Sequence, residues 1–318
     1  MKNKAFAGLA ALGCLLFAST AFADQPFDWQ KGLQPAATSI MEEIRWFEQY
    51  TLWFIVPITL FVLLLLIVVV VKFRESKNPV PSKTSHNTAI EVVWTLGPVV
   101  ILLFLAVPSF QLLTKQLAPT EEPELTIKAT GFQWYWGYEY QVGDNPLSFD
   151  SLLLHDNDRA AAGKEDKSVY PRLLAVDNEV VVPVGKHVRL LVTAGDVIHA
   201  FAMPSFGVKI DAVPGRMNET WFKAEREGLF YGQCSELCGK DHAFMPIAIR
   251  VVSQEKFDTW LAATATNVGE ANKALMASVD VADKSVDVAQ NAAQKYLGSQ
   301  IHGRHIRCPR RSSRSPRT

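Results

Sequence analysis

The chain has 318 residues, 48% of them hydrophobic and 20% charged, with 32 Lys or Arg balanced by 32 Asp or Glu. That length admits one large or two ordinary domains, but the hydropathy is too uneven for a single soluble globule. The zero net charge hides an asymmetry, because residues 92–300 carry 18 basic and 25 acidic side chains, a balance of −7 that steers a basic partner.

Residues 1–23 begin with Lys2 and Lys4, run through an apolar stretch to Phe17 and end in Ala21-Phe22-Ala23. This is the pattern of a secretory signal cleaved before Asp24. Residues 24–50 then form an exported N-terminal segment, and residues 51–114 a transmembrane hairpin. The run from Leu52 to Val71 carries no charge and is long enough, as a helix, to cross the roughly 30 Å of hydrocarbon. Val92 to Leu113 is a second such run, interrupted only by Pro98 and Pro108. Between them Lys72, Arg74, Lys77 and Lys83 stand against Glu75, so the loop is expected in the cytoplasm and both mature termini outside. The lipid bilayer is therefore a partner, and nucleic acid is not. Glu91 stands at the cytoplasmic start of the second helix, where the helix dipole favours a carboxylate.

From 115 to 261 the pattern changes to short β-rich runs bounded by Pro, Gly and Asp. Val188, Leu190 and Val192 alternate with polar neighbours, as do Phe132, Trp134, Trp136, Tyr138 and Tyr140, which predicts half-buried strands. Further runs at 180–182, 197–203, 220–224, 229–232 and 247–252 complete a β sandwich or small barrel. His86, His155 and His187 lack ligand partners at sensible spacing and read as surface residues. Residues 262–318 form an Ala-rich and then Arg-rich tail, with Arg304, Arg307, Arg310, Arg311, Arg314 and Arg317. Residues 262–300 are expected to form a helix or stay loose and disorder is expected after Ile301, an altered reading frame near the C-terminus is a hypothesis, and Cys308 has no inferred role.

The loop joining the last two strands carries Cys234, Cys238, His242 and Met245, and His199 lies upstream. Thiolates, imidazoles and a thioether are soft or borderline donors that select copper over magnesium or calcium. A mononuclear blue-copper centre needs one Cys, two His and a weak axial Met, so one sulfur is surplus. Two coppers bridged by both sulfurs remove the surplus, each taking one His, with Met245 and a backbone carbonyl as weak donors. On residue chemistry alone, a disulfide or dithiol between Cys234 and Cys238 stays open outside the cytoplasm.

The order Cys-x-x-x-Cys-x-x-x-His-x-x-Met, with Ser235-Glu236-Leu237 inside the Cys pair, resembles the copper A loop of subunit 2 of the haem-copper cytochrome c oxidases. The resemblance covers roughly residues 35 to 261 and implies a two-helix hairpin followed by an all-β, cupredoxin-like Greek-key domain. It implies copper ligation by His199, Cys234, Cys238, His242, Met245 and the carbonyl of Glu236, whose carboxylate would bind Mg²⁺ shared with the large subunit. The segment Gln133-Trp134-Tyr135-Trp136 is similar to the family's aromatic patch, so Trp134 is expected to receive the electron from cytochrome c. Glu139, Asp144, Asp150 and Asp156 are the expected docking acids. Asp211 and Arg216 would face the catalytic subunit and its haem propionates. Glu91, in Glu91-Val92-Val93-Trp94-Thr95, resembles the glutamate at the entrance of a proton path. The function implied is that of the electron-accepting subunit of a bacterial, aa3-like oxidase in the inner membrane, with the copper domain in the periplasm and haem only on the partner subunit. A quinol oxidase subunit 2 should lack the Cys pair, and a nitrous oxide reductase should lack the paired helices. A copper-delivery or copper-sensing protein is the remaining alternative.

Overall fold

The computed structural model describes residues 23–27, 29–119, 121–143 and 146–279. Residues 1–22 of the expected signal segment, Asp144, Cys308 and the Arg-rich tail lie outside these residues, while Ala23, expected as the last signal residue, lies within them. Among the described residues, two helices are long and apolar enough to cross a membrane. Helix α1 spans Ser39–Lys72 and α2 spans Thr88–Leu117. Thr38 caps α1 by accepting from the Met41 N–H at 3.1 Å, and its hydroxyl donates to the Phe206 carbonyl at 2.8 Å. One side chain thus both satisfies an orphan helix donor and fixes the helix to the β domain. Asn87 caps α2 through the Ile90 N–H, while Glu91 accepts from the Asn87 N–H at 3.2 Å. These two bonds are reciprocal in the manner of a capping box, with the acid one residue further along the helix than in that motif. At the end of the hairpin next to the β domain Lys115 and Glu43 pair at 2.6 Å, and the Trp221 indole donates to the Lys115 carbonyl at 3.1 Å. The hairpin is therefore tied to the β domain at its base, with the Glu91 end distant from it.

Strand β1, Ala23–Asp24, is a short parallel addition beside the β domain. The domain itself contains β2 (Leu125–Phe132), β3 (Tyr135–Tyr140), β4 (Leu147–Ser151), β5 (Val180–Pro183), β6 (His187–Ala194) and β7 (His199–Met203). It continues with β8 (Val208–Ala212), β9 (Asn218–Lys223), β10 (Gly228–Cys234) and β11 (Pro246–Val252). One sheet runs β4-β3-β2-β6-β9, the other β5-β11-β10-β7-β8, with β1 beside β10. The parallel pairs β2 with β6 and β5 with β11 show that neighbours in space are distant in sequence, as a Greek-key sandwich requires. Period-two burial along β2 and β3 turns Ile127, Ala129, Trp136, Tyr138 and Tyr140 into the core, each no more than 2% exposed.

The aromatic run at 132–140 is not one strand. It breaks at Gln133-Trp134 into two antiparallel strands, with Phe132 opposite Tyr135, and the peptide between Gln133 and Trp134 is cis. Trp136, Tyr138 and Tyr140 keep the expected alternation, but Trp134 sits at the hairpin tip instead of in a strand. His187 is also not a surface residue. It is 4% exposed, stacks on Trp221 at 5.3 Å and pairs with Glu121 at 3.0 Å, because β9 lies beside β6 and lays the indole over the ring. Order also extends past residue 261. Helix α3 covers Gln254–Thr264 and residues 268–279 are helical. The Trp260 indole donates to Asn272 at 2.7 Å, a buried bond that joins the two helical segments.

Candidate metal centre

The two ends of the metal loop are fixed by the sheet. Strands β10 and β11 pair from Gly228 opposite Val251 to Gln233 opposite Pro246, so the chain between Cys234 and Pro246 must close over the end of the sandwich. Strand β7 pairs with β10 at Phe201 opposite Cys234, which brings His199 to the same end. A rigid ladder therefore presents two ligand-bearing segments to one point.

Cys234 and Cys238 are buried, and their sulfurs lie 3.9 Å apart. A disulfide would hold them at about 2.05 Å, so they are two separate donors. Nδ1 of His199 lies 3.9 Å from the Cys234 sulfur, and Nδ1 of His242 lies 3.5 Å from the Cys238 sulfur. The Met245 sulfur is 3.5 Å from Cys238, and the Glu236 carbonyl oxygen 3.3 Å from Cys234. Ligand atoms of His199, Cys234 and Cys238 all lie within 4.8 Å of one another. Three sulfurs, two imidazole nitrogens and one carbonyl converging on one buried point fit a soft, thiophilic metal and leave a hard cation without enough oxygen donors. The Glu236 side chain is exposed, so its carboxylate is separate from the use of its carbonyl.

The electrostatics favour a thiolate already in the metal-free protein. Burial pushes the Cys234 thiol up, but hydrogen bonding from His199 and nearby backbone outweighs it and brings the pKa down to about 6. Burial and the neighbouring Cys234 charge push Cys238 up to about 12. Burial lowers the pKa of His199, but the Cys234 sulfur and the Asp196 carboxylate outweigh it and raise the pKa overall. Asp196 is a residue whose role sequence reasoning missed. One of its oxygens lies 2.9 Å from Nε2 of His199 and accepts from the Val197 N–H, while the other accepts from the Gln133 N–H at 2.7 Å. A carboxylate behind a ligating imidazole fixes its ring orientation and tautomer. The only prior signal was a position three residues before His199.

Trp134 lies against the metal loop. Gly239 has φ +128°, and a Cβ there would come within 3.1 Å of the Trp134 ring and 3.0 Å of Gln133 Nε2. Glycine is needed on both counts. Gln133 Nε2 donates to the Cys238 carbonyl at 2.8 Å, and the Trp136 indole donates to the Met245 carbonyl at 3.3 Å. The aromatic hairpin thus grips two ligand residues by their backbone.

Beside Trp134 is a shallow depression of about 540 Å³, bordered by Leu152, Asp158, Asp177, Asp241 and Phe244. Its acids are not the ones read from the sequence. Asp156 is taken up by Arg159 at 2.7 Å and Lys167 at 3.2 Å. Glu139 faces Lys128 at 3.8 Å, and Asp150 is exposed on β4. Asp211 and Arg216 are exposed around the β8–β9 connection, and among the described residues neither forms an ion pair.

Comparison with known proteins agrees with this geometry. The family described as "Cytochrome C oxidase subunit II, periplasmic domain" matches residues 125–252, and the one described as "Cytochrome C oxidase subunit II, transmembrane domain" matches residues 26–112. A probable cytochrome c oxidase subunit 2 of Rickettsia bellii is 50% identical over 254 residues, 80% of this chain and 91% of the relative. The cytochrome c oxidase subunit 2 of Zea mays is 44% identical over 257 residues, 80% of this chain and 96% of the relative. A crystal structure of the periplasmic domain of subunit II of cytochrome oxidase from Bradyrhizobium japonicum is 57% identical, covering 46% of this chain and 98% of that one, with a TM-score of 0.41. Matches to both the transmembrane and the periplasmic domain do not favour a copper-delivery protein or a soluble nitrous oxide reductase. The chain belongs to the cytochrome c oxidase subunit 2 family.

Proposed function

We propose that His199, Cys234, Cys238, His242, Met245 and the Glu236 carbonyl hold a pair of copper ions, and that Trp134 is where an electron from cytochrome c arrives. As a subunit 2, the chain is the electron-accepting subunit of cytochrome c oxidase and works with the haem-copper catalytic subunit, where oxygen is reduced. The observation that carries the copper reading is the convergence of two unbonded, buried sulfurs 3.9 Å apart with one imidazole nitrogen beside each. When bound, the copper pair supplies a one-electron relay whose charge is shared by both thiolates.

The chain's own residues prepare that relay. Burial of Cys234, Cys238 and Met245 keeps water from the sulfurs, and Asp196 holds the His199 ring in place. Gln133 and Gly239 set the Trp134 ring against the backbone next to Cys238, so that the ring lies beside the loop that would hold the copper. Asp158, Asp177 and Asp241 surround the ring, and with Glu139 and Asp150 they would meet the basic rim of a cytochrome c. Charge of that sign speeds encounter more than it tightens the complex.

Three further assignments rest on chemistry and the family resemblance. The exposed Glu236 carboxylate is suited to Mg²⁺, which keeps several waters and takes only one or two carboxylates per site. Glu91, at the hairpin end far from the β domain, would admit protons from the cytoplasmic side. The basic 72–83 loop puts that end in the cytoplasm and the β domain in the periplasm of a bacterial inner membrane.

Stopped-flow electron uptake from reduced cytochrome c tests the reading. Trp134→Gln in the assembled oxidase should slow uptake about a hundredfold, the scale of a misplaced reacting group, with copper content unchanged. An unchanged rate would overturn it.

A further inference from the structure

The residues between β4 and β5 form an excursion, 152–179, that borders the Trp134 depression. At its centre lies Lys164, fully buried at 0% exposure. Its ammonium group has three donors, and each has a partner: the Val176 carbonyl at 2.8 Å, the Asp177 carbonyl at 3.0 Å and the Glu179 carboxylate at 3.0 Å. Arg250, from β11, closes the other side of Glu179 with bonds of 2.5 and 3.2 Å and reaches the Tyr170 hydroxyl at 3.1 Å. Arg159 donates to the Lys164 and Tyr170 carbonyls at 3.3 and 2.7 Å. A buried ammonium is costly unless every proton is used, and here two hold backbone carbonyls and the third holds the Glu179 carboxylate.

What it holds is the docking face. The Asp177 carbonyl is bonded by Lys164, and the Asp177 carboxylate accepts from the Leu152 N–H at 2.8 Å. Asp177 and Leu152 both border the depression beside Trp134, and Asp158 stands next to the bound Arg159. We propose that Lys164 is a positioning residue for cytochrome docking, acting through Asp177: it ties the excursion back onto residues 176–179, which lead into β5 and which Arg250 of β11 anchors through Glu179, so that the acids beside Trp134 form a preset surface. This rests on the reading of Trp134 as the electron acceptor. Deletion of the ammonium leaves the metal loop untouched, because Lys164 contacts none of the donor residues.

The test is steady-state oxidation of mitochondrial cytochrome c by the purified, assembled oxidase across a range of salt concentrations. Lys164→Met should raise KM about fivefold, leave kcat within about twofold and flatten the dependence of KM on salt. Asp177→Asn should raise KM alone, and the double variant should be no worse than the single ones, since both act on one feature. Should Lys164→Met fail to assemble, Glu179→Gln keeps the shape, removes the charge and should give the same non-additive rise. An unchanged KM in assembled variant, or full additivity with Asp177→Asn, overturns the proposal. So does a loss of copper-loaded enzyme with normal KM in what remains, which is the sign of a merely structural lysine. If Trp134→Gln leaves electron uptake untouched, the reading of the site has failed. If it slows uptake while Lys164→Met leaves KM alone, only the docking platform has failed.

Discussion

Gln133 donates its side-chain N–H to the carbonyl of Cys238 at 2.8 Å, joining the tip of the aromatic hairpin to a ligand-bearing residue 105 positions away. The same residue gives its backbone N–H to Asp196, which in turn holds His199. One residue before Trp134 therefore couples the ring to both halves of the metal centre. Gln133→Ala keeps the Asp196 bond and loses the Cys238 bond. Electron uptake from cytochrome c should fall about tenfold, as expected for a small loss of alignment, while the copper absorption bands stay in place. Rapid-mixing spectroscopy reads both at once.

Asp196→Asn leaves a group that can still accept from Gln133 but presents no charge to His199. Loss of a carboxylate behind a ligating imidazole lowers metal affinity about 10- to 100-fold. Competition with a copper chelator should show that loss, and Asp196→Glu should recover part of it. Equal retention by the Asn variant would remove Asp196 from the account of the site.

The Glu179 cluster predicts that the β domain loses stability in acid. Burial raises the Glu179 pKa, but the Arg250 and Lys164 charges outweigh it and bring it down to about 2 from 4.5. A carboxyl with a depressed folded pKa stabilises fully above its unfolded pKa and loses that contribution as pH falls through the folded one. Stability should therefore drop between about pH 5 and pH 2, by on the order of 3 kcal/mol from this group. Glu179→Gln should lower stability at neutral pH and flatten the acid limb. Urea unfolding followed by tryptophan fluorescence at several pH values checks both parts.

Much of this was legible in the sequence for definite reasons. Uncharged runs as long as Leu52 to Val71 have few solutions other than a membrane span, and soft donors spaced as at 234–245 have few other than a thiophilic metal. The hairpin tip at Trp134 was not legible, because aromatic alternation runs straight through the turn and masks it. His187 was misread since its burial depends on Trp221, a residue on another strand. Lys164 and Glu179 come from the β4–β5 connection and Arg250 from β11, with Glu179 and Arg250 71 positions apart, so no local pattern announces them. Asp158, Asp177 and Asp241 border the depression beside Trp134 from separate stretches of the chain, so local sequence does not single them out.

The most direct measurement is the electron paramagnetic resonance spectrum of the copper-loaded oxidase subunit, taken with its copper-to-protein ratio. Two sulfurs held 3.9 Å apart with an imidazole beside each predict two copper ions per chain and hyperfine splitting from two equivalent nuclei, lost in Cys234→Ser. One copper ion per chain, with splitting from a single nucleus, would contradict the account.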